Sequence, residues 1–99
     1  MDTITTYREI IKEVISEYSR LKPSHGKIRL DVIFDETRDH YALMQVGWDK
    51  SRRVRGNLIY VIISNGKVII EYDGIESGIT KELINRGISS NDIKLGFIE

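Results

Sequence analysis

Cysteine is missing altogether from these 99 residues. That absence excludes disulfides, thiolate zinc sites and cysteine nucleophiles. It fits a reducing compartment, and a cytoplasmic location is the expectation. Proline occurs once and glycine eight times, too sparsely for a linker or a disordered tail. No apolar run approaches the roughly 20 residues of a membrane span, and no signal-peptide pattern opens the chain. Excess charge is lacking too: Lys+Arg and Asp+Glu both total 15. Adhesion to DNA by net charge is therefore disfavoured, although a local patch could still contact phosphate. What remains is enough chain for one domain with its own core, spanning 1–99.

The first patterned stretch runs from about Thr3 to Leu21. Ile4, Tyr7, Ile10, Ile11, Val14, Ile15, Tyr18 and Leu21 recur at helical spacing on one face. Arg8, Glu9, Lys12, Glu13, Glu17 and Arg20 make a solvated opposite face of mixed sign. Thr6 and Glu9 stand at capping-box spacing, while Asp2 or Thr3 could equally start the helix. Lys22-Pro23-Ser24-His25-Gly26 is expected to stop it.

Period-two patterning takes over afterwards. In Lys27–Phe34, Ile28, Leu30, Val32 and Phe34 alternate with Arg29, Asp31 and Ile33. The polar run Asp35-Glu36-Thr37-Arg38-Asp39 reads as a hairpin loop. The second strand presents His40, Ala42, Met44, Val46 and Trp48 on one face and Tyr41, Leu43 and Gln45 on the other, as a central strand would. Asp49-Lys50-Ser51-Arg52-Arg53 reads as a turn, followed by a third strand from Val54 to Ser64. Asn65-Gly66 suits a two-residue type I′ turn into a fourth strand, about Lys67–Asp73. Ile79 to Arg86 reads as a short helix with Ile79, Leu83 and Ile84 inward and Gly87 as its C-terminal cap. Ile93, Leu95 and Phe97 give a last extended piece. The expected fold is α+β: an N-terminal helix, a four-stranded antiparallel meander sheet and a short C-terminal helix.

One helix covers only one side of such a sheet. The run Leu58-Ile59-Tyr60-Val61-Ile62-Ile63 offers apolar residues to both sides, so a cover is needed on the second. The short helix could supply it, or a partner could, including a second copy of the chain.

Candidate sites are few. Lys50, Arg52, Arg53 and Arg55 concentrate positive charge that could contact phosphates or an acidic partner. They could equally be a solvated hairpin paired with Asp49 and Glu71. Trp48 beside them could anchor an interface, but it shares its face with Ala42, Met44 and Val46, so it is expected to cap the core under the first helix. Asp35, Glu36, Asp39 and His40 are chemically suited to a metal or to acid–base work. Their spacing matches no known metal loop, however, and Arg38 is a ready counter-charge. His25 stands apart. No Gly-x-Ser-x-Gly elbow, Walker loop or dinucleotide fingerprint occurs. No catalytic residue, metal ligand or cofactor is assigned, and the expectation is a protein that is not an enzyme.

Several stretches, in order, form a recognisable pattern. They are Tyr7-Arg8-Glu9-Ile10-Ile11, Phe34-Asp35-Glu36-Thr37-Arg38-Asp39-His40-Tyr41, Val46-Gly47-Trp48-Asp49, Arg52-Arg53-Val54-Arg55-Gly56 and Asp73-Gly74. The pattern continues in Gly78-Ile79, Glu82-Leu83, Gly87-Ile88 and Asp92-Ile93-Lys94-Leu95-Gly96-Phe97. This resembles the XisI family, the cyanobacterial fdxN-element excision controlling factors. The resemblance implies a small α+β control factor for excising a DNA element in heterocyst development. It implies action with a XisH-like companion protein and a site-specific recombinase (XisF), without being the recombinase. The docking surface expected from this reading is the sheet's second face with Trp48, Lys50, Arg52, Arg53 and Arg55. Direct nucleic-acid binding through the basic segment 50–55 is the alternative.

Overall fold

The computed structural model describes residues 2–21 and 27–96. The helix stop at 22–26, with His25, lies outside the described residues, as does Phe97. Helix α1 spans Thr3–Ser19, and it is Asp2 that caps it, its Oδ1 accepting the Ile4 N–H at 3.2 Å. The helical spacing delivers Tyr7, Ile10, Ile11, Val14 and Ile15 to the interior. Burying each such side chain contributes about 1.5–3 kcal/mol. No helix is long and apolar enough to cross a membrane among the described residues.

The strands are β1 (Lys27–Asp35), β2 (His40–Asp49), β3 (Arg52–Ser64), β4 (Lys67–Asp73) and β5 (Ile93–Leu95), lying in that spatial order in one sheet. The first four form the expected antiparallel meander. One strand more than the sequence suggested is present, because β5 pairs in parallel with β4. Helix α2 (Thr80–Asn85) and a single 3-10 turn at Ser90–Asp92 carry the chain back across the sheet, the kind of return a parallel neighbour requires. Asp73 sets the start of that return, since its two carboxylate oxygens accept the N–H groups of Ile75 and Ile79. Gly87, at φ 122°, ends α2 while the Ile88 N–H reaches back to the Leu83 carbonyl at 3.0 Å.

Both helices lie on the same face. Ile79, Leu83 and Ile88 join Ile11, Val14 and Ile15 in one cluster with Tyr41, Leu43, Ile59, Val61, Val68 and Ile70. Ile84, expected inward, lies outside this cluster and is 38% exposed. The other face of the sheet has no helix over it among the described residues. In β2 the core residues are therefore Tyr41 and Leu43, and the set Ala42, Met44, Val46 and Trp48 faces away from α1.

Asn65 and Gly66 both have positive φ, 53° and 76°, as the type I′ turn requires. Gly47 is needed for a different reason. A Cβ there would lie 2.0 Å from the Lys27 carbonyl oxygen, so only glycine lets β1 begin so close to β2.

Candidate functional site

A register shift in β3 decides where the basic residues point. Leu43 pairs with Ile59 and Met44 pairs with Asn57, so Leu58 is an extra, bulged residue. Leu58 packs with the core beside Ile59, which is how two consecutive apolar residues both turn inward. Beyond the bulge the alternation is inverted relative to Tyr60 and Ile62. Arg55 then pairs with Val46 and Arg53 with Trp48 on the uncovered face.

That face can be read row by row through the ladder. Lys27, Trp48 and Arg53 form its outermost row, followed by Arg29, Val46 and Arg55, then Asp31, Met44 and Asn57. Further along come Ile33, Ala42, Tyr60 and Tyr72, and then Asp35, His40, Ile62 and Ile69. Ile33, Trp48 and Tyr72 are exposed at 53%, 49% and 48%. The face is thus basic and aromatic at one end and apolar in the middle. The glutamates Glu9, Glu13, Glu17 and Glu82 belong to the helix side, where Arg86 approaches three of them (Glu13, Glu17 and Glu82). A neutral total thus conceals a basic end, the rows of Lys27, Arg29, Arg53 and Arg55, on an open face that carries Asp31 and Asp35 further along.

Trp48 does not cap the core under the first helix. Its ring lies on the open face, with the Arg53 guanidinium carbon 5.3 Å from its centroid, a cation–π contact. Arg53 also donates to the Gly47 carbonyl at 3.4 Å. The expected turn at 49–53 is shorter than the sequence suggested. Asp49 already pairs with Arg52 across the ladder, leaving Lys50 (φ 59°) and Ser51 at the tip. Of the five candidates, Trp48, Arg53 and Arg55 share a face, Lys50 sits in the turn and Arg52 falls on the opposite side. Arg52, Arg53 and Arg55 make no ion pair with Asp49 or Glu71 among the described residues. Sequence reasoning missed Ile33, Arg29 and Tyr72 as members of this surface. The available signal was Ile33, an isoleucine at a position of β1 that otherwise alternates with the apolar face.

The acidic loop is structural in its geometry. Asp35 accepts the N–H groups of Thr37 and Arg38 and pairs with the Arg38 guanidinium at 3.1 Å, contacts that hold its carboxyl below the usual range. Glu36 pairs with Lys12 of α1 at 2.8 Å. Asp39 receives a two-point contact from Arg8 at 2.6 and 3.0 Å and the Tyr41 hydroxyl at 2.8 Å. The Arg8 contact is the main cause of its lowered pKa. Burial, more than Asp39, pushes the Tyr41 hydroxyl up. His40 turns to the open face, its ring edge-on to Tyr60 with Nδ1 3.3 Å from the tyrosine hydroxyl. The four residues are thereby divided among separate partners. Among the described residues no group of three or more His, Asp or Glu is placed to hold a metal ion. An apolar groove of about 170 Å³ between Tyr18, Leu30, Leu43 and Ile75 falls short of the ~300 Å³ of typical ligand pockets.

Known proteins place this geometry. The chain is similar in structure to the fdxN element excision controlling factor XisI from Anabaena variabilis ATCC 29413, at 38% identity and a TM-score of 0.84, over 99% of this chain and 95% of that one. It is also similar to a XisI-like protein from the same organism, at 26% identity and a TM-score of 0.89, over 99% of this chain and 89% of the other. No curated protein matches it. The family described as "XisI protein" matches residues 1–99. On that match and the 38% identity, this chain belongs to the XisI family.

Proposed function

We propose that this protein is a non-enzymatic accessory factor that controls excision of a DNA element by binding other proteins: a XisH-like companion, the recombinase, or both. The observation that carries this reading is the uncovered sheet face, which keeps Trp48 in solvent beside Arg53 and Arg55 and, further along, Ile33 and Tyr72. Aromatic and arginine side chains gathered on an apolar patch are the composition of interface anchors. The arginines would meet an acidic rim on the partner, and the Trp48 ring would fill a pocket in it.

The test is capture of partners from native extract with this protein as bait, with and without nuclease. A nuclease-resistant companion is expected. Replacing Arg52, Arg53 and Arg55 together by alanine should weaken that capture while costing no more than about 1 kcal/mol of stability, as for surface sites. Unchanged capture by the triple variant would remove the arginines from the interface.

A second reading has its own support. Basic residues interleaved with aromatic rings on an open sheet also suit a nucleic-acid strand, with phosphates on the arginines and bases against Trp48. Its signature is an affinity for nucleic acid that falls steeply with added salt and disappears in the triple variant. A complex with protein that ignores salt, with no retention of nucleic acid, discards it.

A further inference from the structure

Strand β1 is nine residues long and forms one border of the sheet, with no neighbour on its outer side among the described residues. The hydrogen bonding tells which of its residues face outward. Ile63 donates to the Asp39 carbonyl at 3.0 Å, so the main chain of His40, one residue on, points to β1. His40 pairs with Asp35, so the odd residues of β1 are engaged with β2. The N–H and C=O groups of Ile28, Leu30, Val32 and Phe34 are then the ones presented at the border. An uncovered strand of this length is a template for another strand.

Its side chains indicate which strand. On the open face β1 reads Lys27, Arg29, Asp31, Ile33, Asp35: basic in its first half, acidic in its second. Laid antiparallel on a copy of itself, the basic half meets the acidic half twice, by symmetry. Laid parallel, like meets like. Val32 and Ile33, both large and both left exposed, lie near the middle. The molecule's other open borders suit self-pairing less: β5 has three residues, and the Arg52–Asn57 length of β3 carries arginines that would repel their own copies.

We propose that a second copy of this chain pairs antiparallel with β1 through a two-fold axis at Val32, joining the two sheets into one. Val32 faces Val32 of the partner subunit, and Arg29, whose contact within its own chain is the exposed Asp31, faces the partner's Asp35, which Arg38 of its own chain already contacts. A register centred on Asp31 would set two aspartates against each other, and one between Lys27 and Asp31 would oppose the two Arg29 side chains. The contact is isologous, so it closes at two chains and does not propagate into fibres. It leaves the open faces of both copies side by side, free for other partners, and it stands or falls independently of the accessory-factor reading.

Sedimentation equilibrium of the intact protein tests it, with circular dichroism verifying the fold of each variant. The wild type should weigh twice 11.4 kDa. Val32→Pro removes an outward N–H without touching the β2 ladder, and should return the single-chain mass. Arg29→Glu and Asp35→Lys should each be single chains alone and recover the double mass when mixed, because each supplies the charge the other has lost. A wild-type mass of one chain overturns the proposal, as does a double mass that survives both Val32→Pro and Arg29→Glu. A Val32→Pro monomer without recovery in the mixture overturns the Val32-centred register.

Discussion

Asp39 occupies a left-handed position, φ 57°, at the end of the β1–β2 loop, a conformation that aspartate tolerates better than most residues. Its carboxylate ties the loop to Arg8 of α1 and to the Tyr41 hydroxyl, so one side chain fixes loop, helix and strand. Replacing Asp39 by alanine should cost about 1.5–3 kcal/mol in chemical denaturation, as for hydrogen bonds to a charged group. The pH dependence has a definite sign. The folded-state pKa is depressed, so the stabilisation is fully present above the unfolded value of about 3.9 and is lost as pH falls through the lower folded value. Thermal melting of Asp39→Asn should accordingly be less acid-sensitive than the wild type below about pH 4. Gly47→Ala should lose about 1–3 kcal/mol, because its Cβ meets a backbone oxygen that cannot step aside. Neither role was legible in the sequence. Asp39 looked like one of several loop acids, and Arg8 like one charge on a solvated helix face 31 residues away.

At the scale of elements, the period-two and helical patterns located α1, α2 and the four meander strands, because burial on one face imposes those periods. The pattern could not say which face of β2 is buried, since both are largely apolar. Trp48 drew the assignment to its own side, whereas the smaller set Tyr41 and Leu43 lies beneath the helices. Substitution tells the faces apart: Leu43→Ala should cost about 2–5 kcal/mol, whereas Trp48→Ser should cost no more than about 1 kcal/mol. Equal losses would return Trp48 to the core. The bulge at Leu58 was equally hidden, for an extra residue leaves no mark in a run of six apolar side chains. Yet it is what turns Arg53 and Arg55 toward Trp48. The alternation of Ile93 and Leu95 marked an extended piece, but nothing so short could show that it joins the sheet as a parallel neighbour of β4.

At the scale of the whole molecule, the α+β class and single domain followed from length and element order. The basic end of the open face did not, because it depends on which residues share a face. The molecule is also longer than a sphere of its length: the Cα radius of gyration is 14.0 Å, against about 13 Å for a typical 100-residue domain. Its dimensions of 46 × 28 × 24 Å suit a blade with one armoured side and one open side. That basic end bears on how the protein behaves at the bench. With an isoelectric point near 6.7, it should pass through any ion exchanger at neutral pH if only its total mattered. A resin bead, however, meets one side of a molecule at a time, and the Lys27–Arg55 end is the side a sulfonated bead would hold. Retention on a cation exchanger at pH 7, released by modest salt and lost in the triple arginine variant, would make a routine column a reporter of which way the molecule faces.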